Sequence, residues 1–126
     1  WLDRQIKRYA EDKVGLWGAV LKENGELIGQ CGITMQPYRE QTVPEIGYLI
    51  RMNFWHNGYA TEAARSCADY ASHILGIKRI YSIIRDNNLP SQGVAKRIGM
   101  TPDDTIVKHY RGIDMPHIVF SMPLGE

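Results

Sequence analysis

The chain has 126 residues, 44% hydrophobic and 23% charged, with a net charge of +1. That length suits one domain, residues 1–126, with a single core, and the charge balance gives no case for DNA, RNA or a membrane surface as partner. No run approaches the roughly 18 apolar residues of a membrane span. Nothing at the start reads as a signal peptide, so the expected setting is the cytoplasm. The two cysteines, Cys31 and Cys67, lie in apolar stretches without a CxxC or zinc spacing. Buried free thiols and no metal are expected. The chain opens on Trp1, and the expectation is that a longer protein has been trimmed.

Leu2, Ile6 and Tyr9 recur at helical spacing, which predicts a short amphipathic helix over residues 1–11. Residues 17–22 read as a strand. Asn24-Gly25 is a hairpin signal, and residues 27–35 return as a strand whose Gly29 and Gly32 suggest a bulge or close packing. Residues 36–42, with Pro37, read as a polar loop. Residues 43–50 alternate as a strand. The first half is therefore an antiparallel meander.

Residues 60–75 form the clearest helix. Ala60, Ala63, Ala64, Cys67, Ala71 and Ile74 make its apolar stripe, and Gly76 stops it. Residues 79–85 read as a buried strand. Strand, helix and strand over this length is a βαβ crossover, so strands 43–50 and 79–85 should be parallel. Pro90 suits the first turn of a short helix through Arg97, closed by Gly99. Residues 100–110 hold a strand interrupted at Pro102-Asp103-Asp104. Residues 111–114 turn, and 117–122 form the last strand. The fold class is α+β, a mixed and mostly antiparallel twisted sheet with a central βαβ unit.

The joint of that unit is Trp55-His56-Asn57-Gly58-Tyr59-Ala60-Thr61-Glu62-Ala63. A glycine at a strand-to-helix joint lets a ligand approach the backbone, and the first helical N–H groups attract phosphate. The same pattern is also how any α/β protein turns a corner. No Gly-Lys-Ser/Thr follows, and one glycine is not the three of a dinucleotide fingerprint.

Three segments together give the chain its resemblance to the GNAT N-acetyltransferases, most of all the ribosomal-protein N-terminal acetyltransferases and their relatives. Glu45-Ile46-Gly47-Tyr48 is similar to the family's fourth strand. Residues 54–63 are similar to its acyl-CoA pyrophosphate loop, with Trp55 at the Gln/Arg position. Asn88-Leu89-Pro90-Ser91 and Ala95-Lys96-Arg97-Ile98-Gly99-Met100 are similar to its Asn-x-x-Ser helix and closing Lys-x-Gly-Phe, with Met100 for Phe. The resemblance covers about residues 17–122. The family normally opens with a strand and a helix pair that wall the acceptor groove, and the first strand and part of those helices are expected to be missing here.

The resemblance implies transfer of an acetyl group from acetyl-CoA to a primary amine, either a protein N-terminus or a small molecule. It places the pyrophosphate on backbone N–H groups of His56, Asn57, Gly58, Tyr59, Ala60 and Thr61, and the pantetheine along Leu49, Ile50 and Asn88. Asn88 could equally be a plain helix cap. Strand alternation puts Glu45, Gly47 and Leu49 on one face, which makes Glu45 the first candidate base. It could also be a solvated or salt-bridged carboxylate. His109 is the second candidate. Ser91 is the expected proton donor to the leaving thiolate, with an N-cap as its plain role. Many members use a tyrosine further along this helix, near 95 or 96, where the chain has none, and Tyr110 has no evident place.

Two alternatives stay open. One is a small-amine acetyltransferase for polyamines, amino acids or antibiotics, with Glu40, Glu45 and Asp86 as a cationic-substrate site. The other is an acyl-CoA-binding sensor without catalysis. The C-terminal strand edges make a homodimer conceivable.

Overall fold

The computed structural model describes the backbone of residues 6–8, 15–20, 27–50 and 58–125. Its strands are β1 (Ile6–Arg8), β2 (Gly15–Val20), β3 (Leu27–Tyr38), β4 (Gln41–Ile50), β5 (Arg79–Arg85), β6 (Thr101–Tyr110) and β7 (Ile113–Pro123). Its helices are α1 (Tyr59–His73) and α2 (Leu89–Arg97). Among the described residues the strands form one seven-stranded sheet, ordered β1-β2-β3-β4-β5-β7-β6. Every neighbouring pair is antiparallel except β4 and β5. The meander, the parallel crossover and the mixed sheet expected from the sequence are all present.

Two expectations for the first half are corrected. The helix over residues 1–11 is contradicted at Ile6–Arg8, which pairs with β2 through Ile6↔Ala19, Lys7↔Gly18 and Arg8↔Trp17. Three apolar residues fit a helical period over so short a segment, but the open edge of β2 offers a whole row of ladder bonds. The loop over 36–42 is instead a hairpin: β3 runs to Tyr38, Arg39 and Glu40 turn, and Tyr38 pairs with Gln41. Arg39 takes φ 56 in that turn. Among the described residues β2 pairs with β3 only as far as Ile33, so the missing N–H of Pro37 removes no described bond on that edge. The glycines of β3 sit beside a register shift, where Ala19 pairs with Gly29 and Val20 with Leu27. The turn signal at 23–26 lies outside the described residues.

The helices cover one face of the sheet. Helix α1 buries Ala63, Ala64, Cys67, Ala68 and Ala71, small residues that let its axis lie close to the strands. Beneath it are Cys31 and Ile33 from β3, Ile46 from β4, Ile80 and Ile84 from β5, and Phe120 from β7. Burying each large aliphatic or aromatic side chain here contributes about 1.5–3 kcal/mol. Both cysteines are free and buried. Ile74, read as part of the stripe, is 66% exposed, because the helix ends at His73 and Gly76 turns the chain at φ 68.

On the opposite face Val43, Ile83 and Val119 are buried, and the rings of Tyr38 and Tyr81 pack 5.9 Å apart. Asp104 on β6 accepts bonds from the Tyr38 hydroxyl (2.6 Å) and the Arg39 Nε (2.9 Å). These bonds tie the β3–β4 turn to the far edge of the sheet. The break expected at Pro102-Asp103-Asp104 is a register shift within β6. There Asp103 accepts from the hydroxyls of Thr101 (2.9 Å) and buried Ser121.

Candidate active site

Strands β4 and β5 pair at one position, Glu45↔Tyr81, and have no paired residues beyond it. Side chains replace the ladder at this seam. The Ile83 N–H donates to the Glu45 Oε2 (2.7 Å), and the Ser82 hydroxyl donates to the Ile46 carbonyl (3.0 Å). The strands are thus held at the seam and open toward Leu49 and Arg85.

A cavity of about 480 Å³ lies beside this opening, bounded by the end of β4, the start of α1 and the length of α2 from Asn88 to Arg97. It is lined by Tyr48 and Leu49 together, although successive strand residues point to opposite faces. Leu49 thus brings the face without helices to the edge of the cavity. Leu49 and Leu89 are 65% and 68% exposed, an apolar lining that suits an extended organic arm.

Helix α1 starts on Gly58 at φ 77, with no side-chain cap over its first turn. A left-handed start is costly for any residue with a Cβ, and among the described residues a Cβ built here would meet no atom within 4 Å. Glycine thus keeps side-chain bulk off the groove beside this backbone. Arg97 leans over it from α2, its Nε donating to the Thr61 hydroxyl oxygen (3.2 Å). Its carbonyl is held by Arg65 (2.9 Å). An uncapped helix start with a guanidinium beside it fits a phosphate group by charge and by donor supply.

Helix α2 is set by three contacts. Asn88 is its N-cap, accepting from the Ser91 N–H (3.3 Å), with Pro90 in the first turn. Buried Gln92 donates to the carbonyls of Arg85 and Asp86 (3.1 and 3.0 Å), pinning the turn out of β5. The Tyr48 hydroxyl donates to the Ser91 carbonyl (2.7 Å), fixing α2 against β4. Burial, and after it the charge of Glu45, raises the Tyr48 phenol above its ordinary value. Tyr48 therefore keeps its proton and acts here as a tie.

The structure brings Leu49, Gly58, Tyr59, Ala60, Thr61, Asn88 and Ser91 around one cavity. Asn88 is the helix cap and also lines the cavity. The N-cap reading of Ser91 is corrected, since Asn88 caps the helix and Ser91 follows within its first turn. His56 and Asn57 lie outside the described residues, as does the side chain of Ile50. Glu45 stands on the far face of β4, half-buried. Burial raises its carboxyl above the usual range, against the opposing pull of the Ile83 N–H and the Lys108 charge.

His109 is elsewhere, exposed on the β6–β7 hairpin with its Nδ1 2.5 Å from Asp114 Oδ1. The expected acidic trio is also not assembled. Glu40 turns at the start of β4 while Asp86 follows the end of β5, roughly 30 Å apart along parallel strands. Tyr48, Gly93 and Arg97 line the cavity without having been assigned a role from the sequence. Helical spacing could have found Arg97, because positions 90, 94 and 97 share a face of α2.

The sequence model of the family described as Acetyltransferase (GNAT) domain matches residues 1–101. The Bacillus subtilis protein YkkB is 44% identical over 108 residues, 86% of this chain and 61% of that protein. An acetyltransferase from Agrobacterium tumefaciens superposes with TM-score 0.69 at 32% identity, covering 86% of this chain and 60% of that one. The ribosomal-protein-S5-alanine acetyltransferase of Vibrio fischeri shares the fold with TM-score 0.76 at 18% identity, over 88% of this chain and 62% of that one. The chain thus spans about three fifths of the length of these relatives. With four fifths of its residues matched by the family's own pattern, the chain belongs to the GNAT acetyltransferase family.

Proposed function

We propose that the chain moves an acetyl group from acetyl-CoA to a primary amine. The observation that carries this reading is the cavity between the uncapped start of α1, helix α2 and the Tyr48–Leu49 end of β4, with a half-buried carboxyl, Glu45, four residues before Leu49 on the same strand. The bound co-substrate would supply the activated acyl group. Its pyrophosphate would rest on backbone N–H groups of His56 to Thr61 and on Arg97. Its pantetheine would follow Leu49 and Ile50, with the Asn88 amide as a donor. The acceptor would approach from the Glu45 face.

An amine attacks only when neutral, and an α-amine has a pKa near 8. Glu45 is suited to take its proton, directly or through a water, because burial has made it a stronger base than an ordinary carboxylate. A backbone N–H at the open edge of β4 would meet the carbonyl oxygen as charge develops there. Ser91 stands beside the cavity as donor to the departing thiolate. A thiol of pKa about 8.5 leaves with little help at neutral pH. Ser91→Ala is therefore expected to lower kcat less than about tenfold, well short of the usual effect of removing a catalytic acid. Steady-state thiol release would measure this.

Arg97→Ala is expected to raise the KM for acetyl-CoA by about 10- to 100-fold, the worth of a charge-assisted hydrogen bond, with kcat little changed. The effect should shrink with added salt. Equal KM values in both proteins would remove Arg97 from the site. The reaction is assigned to the cytoplasm, where free thiols persist. Its acceptor is a small amine or a protein N-terminus.

A thermal shift with acetyl-CoA, CoA and ATP tests the reading, followed by thiol release against an amine panel. Ligand at about 100 times its Kd adds about 2.7 kcal/mol to the folded state, so both CoA forms should raise the midpoint and ATP should not. No shift with either CoA form would overturn the proposal. Binding without turnover on any amine would make the chain a sensor.

A further inference from the structure

The face of the sheet turned away from the helices carries more charge than acyl transfer requires. Alternation along β5 puts Tyr81, Ile83 and Arg85 on the face of Glu45. Pairing with β7 is unbroken there, so Arg85 lies directly opposite His117. Lys108 pairs with Met115, two residues from His117, and so shares this face. Its charge acts on Glu45. Carrying the register forward from Glu45↔Tyr81 brings Arg85 level with Leu49, across the opening. Arg85 is two residues, roughly 7 Å along the strand, beyond the Ile83 N–H that holds Glu45.

Arg85 is poorly matched within the chain. Its Nε is buried and has no hydrogen-bond partner among the described residues. Asp86 Oδ1, at 3.8 Å, is an ion-pair neighbour beyond hydrogen-bond reach. The side chain as a whole is 37% exposed, so its open part lies away from Nε. Buried donors without partners are rare, and a guanidinium cannot shed its charge. Two other arginines of this sheet are hydrogen-bonded: Arg39 holds Asp104 at 2.5 Å and Arg79 Nε donates to the Ser121 hydroxyl oxygen (3.1 Å). The Nδ1–H of His117 is taken by the Met115 carbonyl (2.8 Å).

We infer that the acceptor is a primary amine with a carboxylate close to its nitrogen, and that Arg85, backed by Lys108, receives that carboxylate while Glu45 faces the amine. This rests on the acyl-transfer reading. A guanidinium fork matches a carboxylate in geometry and charge. A polyamine would instead bring further positive charge beside Arg85 and Lys108, with Glu45 and Asp86 as the nearby offsets. The carboxylate takes no part in bond changes. The amine nitrogen gains the acyl carbon, the carbon–sulfur bond breaks, and the amine proton passes toward Glu45. Arg85 is thus a specificity residue. The open part of the guanidinium, away from the buried Nε, is what a carboxylate can reach and what an amide meets less strongly.

Matched acceptors test this: alanine against alaninamide for a free α-carboxylate, Ala-Asp-amide against Ala-Asn-amide for a side-chain carboxylate, and spermidine. Acetyl-CoA affinity is measured by calorimetry on the same samples. At least one carboxylate member should show a kcat/KM ten or more times that of its amide, about 1.4 kcal/mol of discrimination, with spermidine slower still. Arg85→Gln should bring that ratio close to one with acetyl-CoA affinity intact, and Arg85→Lys should keep part of it. A purely structural role would not move the ratio. Equal use of amides or spermidine, or a ratio that survives in Arg85→Gln, overturns this inference alone. Loss of acetyl-CoA binding in the unaltered protein, or binding without transfer to any amine, overturns it together with the reading beneath it.

Discussion

Glu45→Gln is expected to lower kcat by about 10²–10⁴-fold, the usual worth of a general base, with acetyl-CoA affinity unchanged. The amide still offers a carbonyl oxygen to the Ile83 N–H, so the seam keeps its geometry while the proton acceptor is lost. Glu45→Ala removes that oxygen as well. It should also cost about 1–3 kcal/mol of stability, the penalty for an unpaired buried donor. The sign of the pH effect follows from burial, which raises the folded-state pKa above the unfolded value. The stability contributed by this group is complete below the unfolded carboxylate pKa and is lost as pH rises through the higher folded value. Base activity rises over the same interval. Activity and melting temperature should therefore move in opposite directions through one titration above the ordinary carboxylate range. Glu45→Gln should flatten that part of both curves. An acid limb that persists in the Gln variant would assign the base elsewhere.

Gly58→Val should cost acetyl-CoA affinity more than it costs stability. At φ 77 the position lies where a β-branched residue is strained, a penalty of about 1–2 kcal/mol. Among the described residues no atom lies within 4 Å of the added Cβ, so none of them adds a clash to it. The new side chain instead fills part of the cavity wall beside the first turn of α1. A loss of affinity of at least about tenfold, or 1.4 kcal/mol, is expected. Gly58→Asn separates bulk from strain, because asparagine tolerates the left-handed region. It should melt close to the parent and still bind acetyl-CoA weakly in calorimetry. Parent-like affinity in both variants would move the phosphate site away from this helix.

The parts of the fold legible in the sequence were those where local chemistry and tertiary pairing agree. Helix α1 announces itself through small apolar residues at helical spacing and a glycine stop. Strand β5 is a run of sheet-forming residues, Ile80, Tyr81, Ile83 and Ile84, around Ser82, and α2 is marked by Asn88, Pro90 and Gly99. Where tertiary pairing overrode local pattern the reading failed. Ile6–Arg8 was drawn into the sheet by the free edge of β2. Pro37 sits in a strand, beyond the last described pairing of β3 with β2. The cavity was legible as a set of loop and cap residues, since glycine starts and asparagine caps are local signals. Arg97 and Arg85 were not, because their significance depends on which side chains surround them. For Arg85 that is a buried nitrogen lacking a partner, which no spacing rule records.

The seam between β4 and β5 has one more consequence. The two halves of the sheet are stitched by one backbone position and two side chains, so the carboxylate proposed as reagent is also a strut. A carboxylate that gains a proton grips an N–H less firmly than its anion does. In the proposed reaction each proton delivered to Glu45 therefore slackens the strut as the acylated product forms. It tightens again when the proton escapes to solvent. Chemistry and the width of the gap would then keep time through a single oxygen atom.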